Sequence, residues 1–377
     1  MNRYFAYLLV LNMLSNIVSQ VSILLQEDRY DGAVPSILLG IPAGGAMLVV
    51  FVLLFRRFPR QGLPEILNIA VPPWIGKPIM LLQTALWFIG GFVILLYISE
   101  VTKRFINPDF APVEALVLFL TVVVLFANMP SDRILYLVEI ILILAAPFLI
   151  FVIGKAVFSD SLMVDSMREV ATHAFEMPSI LSFNSSVYVF SGFMALCIFN
   201  RVISPDVRRW WVYAAITAVG ALLLLITFFL PIGFHGADGV LAWTYPWFST
   251  ADSLRLKYGF IERLLFFFLL LNVMISVAAI ILYWHAALAF FKAALPRRIG
   301  APWSKVLLPY GLLAAVSFLS IYIDLNFGLQ FIRSIARVWL WIQLPNTLLV
   351  LGILVRAAMV QGRARRREGK RNEAEAV

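Results

Sequence analysis

The chain has little with which to do soluble or catalytic chemistry. It holds one cysteine, Cys197, and three histidines, His173, His235 and His285. A single cysteine excludes an intrachain disulfide, and since it lies in an apolar run it says nothing of redox compartment. No metal-ligand spacing, Gly-rich phosphate loop or nucleophile elbow is present. A membrane acyltransferase would have to rest on His285 alone, so the chain is read as non-enzymatic and without a metal or cofactor. Charge is scarce too: Asp, Glu, Lys and Arg make up 14% of 377 residues, against 62% hydrophobic and a mean hydropathy of +0.91. So few polar residues cannot wrap a soluble core of this size.

What the chain has instead is ten apolar runs, at 4–25, 34–55, 78–98, 112–127, 134–158, 182–200, 210–234, 259–291, 306–323 and 334–360. A helical span takes roughly 20 mostly apolar residues, because lipid offers backbone N–H and C=O groups no partner. The first run has only Met1-Asn2-Arg3 before it and no small-residue cleavage site after it, so it reads as a span rather than a signal peptide. The expectation is an all-α integral membrane protein of ten transmembrane helices over 1–361, with a basic tail at 362–377.

With the N-terminus inside, two thirds of the 30 Lys and Arg residues fall on the inner side. Such an excess fixes orientation and places both termini in the cytoplasm. The tail "RARRREGKR" from Arg363 has the composition of a nucleic-acid or lipid-recognition patch. The reading adopted is a cytoplasmic anchor at anionic headgroups of the bilayer, with no nucleic-acid partner. The inner segment 58–78 carries Pro59, Pro64, Pro72, Pro73 and Pro78 around "EILNIAV", an amphipathic stretch fit for the interface plane. The mixed-charge loop at 159–181 divides the runs five and five. That is the count of transporters built from two inverted repeats, whose sites lie at broken first helices of each half. No residue-level similarity between the halves accompanies the count.

Polar side chains inside spans are costly and point to function. In the first run Asn12, Ser15, Asn16 and Ser19 follow i, i+3, i+4, i+7 and share one helix face. That face would line a polar cavity, or equally supply helix–helix hydrogen bonds. The sixth run carries Asn184, Ser185, Ser186, Tyr188, Ser191 and Gly192, where Ser-Gly suits either a broken helix or a tight packing spot. Glu139 is a candidate proton or coupling group near the inner end of the fifth run, or a partner for a nearby base such as Arg133. Asn272, Ser276 and His285 read as interhelical glue. No midplane carboxylate pair or Arg ladder is present.

Four stretches carry a resemblance. They are "FPRQGLPEILNIAVPPWIGKPIMLL" from Phe58, "SDRILYLVEIILILAAPFLIF" from Ser131 with Glu139, "YPWFSTADSLRLKYGFIERLLFFFLLLNVMISVAAIILYWHAAL" from Tyr245 with Ile261, Glu262 and Arg263, and "PNTLLVLGILVRAAM" from Pro345. In this order they resemble the B-subunit family of bacterial spore germinant receptors, a branch of the amino acid–polyamine–organocation transporter superfamily. The resemblance implies a five-plus-five inverted-repeat fold with broken helices 1 and 6, in the inner membrane of a spore. It implies partner A and C subunits and a small germinant, often an amino acid, held between spans one, three, six and eight. On that basis Gly192 matches the glycine at the span-six break, Ser15, Asn16 and Ser19 lie at the span-one break, and Tyr97 would face the same cavity. Two departures bear on an amino-acid ammonium group: no glycine occurs from Tyr4 to Leu25, and Phe193 follows Gly192 where an acidic residue is common in the family. The implied activity is germinant sensing; the alternative is a secondary amino-acid or cation transporter, and a third reading is a scaffold acting through its interfaces.

Overall fold

The computed structural model describes residues 3–17, 20–106, 113–203, 210–255, 263–295 and 302–375. Most of those residues are helical, and they include one isolated antiparallel bridge between Arg255 and Arg263. In chain order the helices are α1 (Arg3–Ile17), α2 (Gln20–Glu27), α3 (Ala33–Phe55), α4 (Leu63–Ala70), α5 (Pro73–Phe105), α6 (Glu114–Ala127), α7 (Ser131–Val157) and α8 (Val164–Ala171). They continue as α9 (Ile180–Val189), α10 (Leu196–Phe199), α11 (Trp210–His235), α12 (Pro246–Ser253), α13 (Leu264–Ala294), α14 (Pro302–Asn326) and α15 (Leu329–Glu375).

Among the described residues seven helices are long and apolar enough to cross a membrane, and two bent pairs raise the count to nine. The sixth run is broken as expected, with a 62° bend between Ile180–Val189 and Ser191–Phe199. In the first run α1 and α2 are inclined at 52° to each other. The fourth run is the shortfall against ten: α6 has 14 residues, about 21 Å of helix against a hydrocarbon core of about 30 Å.

The longest buried contact is between α5 and α13, which run antiparallel. Gly91 makes it possible, since a Cβ there would stand 2.5 Å from Trp284 Cδ1. Side-chain contacts then sort the helix ends into two groups, called inner and outer here. Arg3–Glu139, Arg201–Glu65 and Lys292–Asn128 belong to the inner group. Arg29–Asp238, Arg337–Glu27 and Lys103–Asp324 belong to the outer one. Each pair joins groups that the alternation of apolar runs assigns to the same side.

Two local expectations change. The stretch "EILNIAV" forms α4, but Leu63, Ile66 and Leu67 are fully buried rather than laid in the interface, because α15 covers that face. The basic tail is the end of α15 itself, helical without interruption from Leu329 to Glu375. At 47 residues, about 70 Å, α15 is more than twice the thickness of the hydrocarbon core.

Candidate functional site between the two broken helices

At the bend α9 ends at Val189 and Ser191–Ala195 tightens to a 3-10 turn, so the carbonyls of Tyr188 and Val189 are among the last of α9, where regular helical partners run out. A buried carbonyl must find another donor. The donor is Asn12: its Nδ2 lies 3.3 Å from Tyr188 O, 3.2 Å from Val189 O and 3.4 Å from Ser191 Oγ. Asn12 is in turn the acceptor for its neighbours. Its carbonyl takes the Ser15 hydroxyl at 3.2 Å and the Asn16 amide at 2.6 Å, while Oδ1 takes Asn16 Nδ2 at 3.2 Å and the Tyr283 hydroxyl at 3.3 Å. With its proton given to Asn12, Tyr283 accepts the hydroxyl of Tyr188. One asparagine thus ties spans one, six and eight together.

Beside this node lies a cavity of about 40 Å³, walled by Asn12, Ser15, Tyr188, Ser191, Gly192 and Tyr283 and completed by Trp87 and Leu86 of α5 and Trp339, Gln343 and Asn346 of α15. Among the described residues its lining carries no charged side chain. Four aromatic rings crowd it, Trp87 on Tyr283 at 5.0 Å and Tyr188 edge-on to Trp339 at 4.9 Å. The volume suits a few waters at most, so anything larger must part these rings. Gln83 donates to Asn346 Oδ1 at 2.5 Å, and its own Oε1 is buried without a partner.

The outer ends of the same spans are tied together. Arg337 holds Glu27 at 2.9 Å, Arg29 holds Asp238 at 3.0 Å, and the Ser182 hydroxyl donates to Asp28 at 2.7 Å. In the same outer cluster the Tyr30 hydroxyl, held by Glu169, has its pKa raised, first by burial and then by that hydrogen bond.

The structure brings together most of the residues expected here, and separates some. Asn12, Ser15, Tyr188, Ser191 and Gly192 line the cavity. Asn16 supports Asn12 and faces a smaller void with Gln20. Ser19 and Glu262 lie outside the described residues. Tyr97 is not on the cavity wall; it is buried against Tyr245 and Phe248, ten residues and about 15 Å along α5 from Trp87. Glu139 is also off the wall and pairs with Arg3 at 3.2 Å, not with Arg133. Arg263 pairs loosely with Asp252 at 3.7 Å in the outer group. Gly192 lies at the break, lines the cavity and is a tight packing spot, since a Cβ there would stand 2.8 Å from Leu9 Cα. His285 is glue as expected, joining α13 to α6 and α7. The Ala127 carbonyl can only accept, so Nδ1 carries the proton and Nε2 accepts from Ser131 at 2.8 Å.

The sequence reading missed Trp87, Tyr283, Trp339, Gln343 and Asn346. Gln343 and Asn346 carried a signal, as amides at i, i+3 inside an apolar run. The aromatic residues carried none, since nothing in sequence separates a ring on a cavity wall from one facing lipid.

A search of curated proteins finds no match to the chain. The family model for spore germination proteins, of the spore permease type, matches residues 4–327, which include four of the five spans around the cavity. The chain therefore belongs to the spore germination protein family, that of the germinant receptor B subunits.

Proposed function

We propose that this membrane protein is the ligand-sensing subunit of a spore germinant receptor, binding a small germinant in the cavity between spans one and six. It would act without catalysis, in the spore inner membrane, together with A and C subunits, and with both termini in the cytoplasm. The observation that carries the reading is the Asn12 amide on the carbonyls of Tyr188 and Val189. A ligand amine needs such acceptors, and here they are held by an internal group of the same chemistry. Binding then exchanges Asn12 for the ligand and loosens span one from span six, which gives the ligand a differential affinity for two states. Because the wall carries no charge among the described residues, a zwitterion would be met by backbone, amide and hydroxyl groups, and the cavity favours a net-neutral ligand. The two bends and the same-side contacts support ten spans in a five-plus-five arrangement, with α6 as the fourth despite its length.

The alternative, a secondary amino-acid or cation transporter, draws on the permease character of the family. It requires a coupling ion, and Glu139 is already held by Arg3. The experiment is germination of spores carrying Ser191→Ala or Asn346→Leu against a panel of amino acids, sugars and nucleosides, with protein level followed by immunoblot. The reading expects the half-maximal concentration for one germinant to rise about tenfold with protein level unchanged. An unaltered response to every germinant would reject the cavity and favour the scaffold. Uptake of that germinant into vesicles by the purified chain would favour the transporter.

A further inference from the structure

A second cavity opens at the inner end, apart from the first, with a volume of about 650 Å³. It is walled by Glu65 of α4, Asn128, Met129, Pro130 and Ser131 at the α6–α7 junction, Arg201 after α10, and His285 and Lys292 of α13. Its charges do not balance. Glu65 is fully engaged, taking Arg201 through both oxygens at 2.8 and 3.1 Å and the Gly62 N–H at 2.8 Å. Lys292 has no such partner among the described residues. Its ammonium donates to the neutral Oδ1 of Asn128 at 2.7 Å. His285 is engaged at both ring nitrogens, with the Ala127 carbonyl and the Ser131 hydroxyl. Among the described residues the Lys292 ammonium therefore faces, without a carboxylate, a cavity with room for a small molecule.

We propose that this cavity binds a phosphate-bearing anion, with Lys292 as its counter-ion. An ammonium and a carboxamide side by side offer several N–H donors to the oxygens of one phosphate. Among the described residues a cation finds no free carboxylate there, since Asp132 at the start of α7 is exposed and off the wall. Lys292 sits in the last turn of α13, the level at which inner-leaflet headgroup phosphates lie. The anion is therefore a phosphate group, from either a lipid headgroup or a soluble phosphate. Because the cavity joins α4, α7, the end of the sixth span and α13, an anion there would brace the inner ends of helices whose midsections surround the germinant cavity.

The test uses the full chain in phosphatidylcholine nanodiscs and follows its melting temperature as inorganic phosphate replaces chloride at constant ionic strength. Phosphate should raise the melting temperature of the wild type and of Lys155→Gln, a lysine of α7 off the cavity wall. Lys292→Gln should weaken the apparent affinity for phosphate about tenfold or more, while melting like the wild type in chloride. Repeating the titration in phosphatidylglycerol nanodiscs separates the sources. Loss of the phosphate response there means that a headgroup already fills the site, and a retained response means a soluble phosphate. No response in phosphatidylcholine, or a response that Lys292→Gln keeps in full, overturns the proposal.

Discussion

Asn12 makes hydrogen bonds through its Nδ2, Oδ1 and backbone oxygen, and by the first two it joins span one to spans six and eight. Replacing it by leucine leaves two carbonyls of the broken helix and the Tyr283 hydroxyl without their partner, while Asn16 keeps the backbone carbonyl. Each buried group stranded in this way costs about 1–3 kcal/mol, so Asn12→Leu should melt well below the wild type in detergent. Asn12→Asp keeps the acceptor for Tyr283 and loses the donor to Tyr188 and Val189, so it should fall between them. Equal melting of all three proteins would mean that the node holds nothing together. Part of this was legible in sequence, since amides inside an apolar run stand out by their cost. The partners were not, because which carbonyls lie opposite Asn12 is decided by a contact 176 and 177 residues away.

At the scale of the helix, glycine positions separate packing from spacing. A Cβ on Gly192 meets the backbone of α1 at Leu9, and backbone cannot move aside as a side chain can. Gly311 of α14 has nothing within 4 Å. Gly192→Ala should lower the amount of folded protein in the membrane, and Gly311→Ala should leave it unchanged; immunoblots of membrane fractions decide this. Helix type could be read from composition, and the Ser-Gly step marked the sixth run as a place for either a break or a tight packing spot. The burial of α4 and the register of α5 could not. An amphipathic face looks the same whether lipid or α15 covers it. The resemblance alone puts Tyr97 on the cavity; its depth is set by where α5 begins, and α5 is 33 residues long.

Across the whole molecule, ion pairs hold the outer ends of spans one, seven and ten, a hydrogen bond from Ser182 to Asp28 adds span six, and the midplane cavity is small. Arg337 and Glu27 are each more than a third exposed on their side chains, so their pair contributes little, on the order of 0.2–1 kcal/mol. Arg337→Gln should therefore shift opening toward the outside by about fivefold at most. A thiol placed at Ser15 reads this directly, since the native Cys197 is fully buried. Its modification rate should rise by no more than that factor, and a far larger rise would show that the pair is the main closure.

The claim on which the rest depends is that the germinant occupies the cavity beside Asn12. The most direct measurement is equilibrium binding of the germinant found in the spore panel to the purified chain in nanodiscs, by calorimetry. It would compare the wild type with Asn346→Leu on the wall and Tyr97→Phe off it. The account predicts binding to the wild type and to Tyr97→Phe with equal affinity, and at least about tenfold weaker binding to Asn346→Leu. Equal affinity for all three, or a loss confined to Tyr97→Phe, would contradict it.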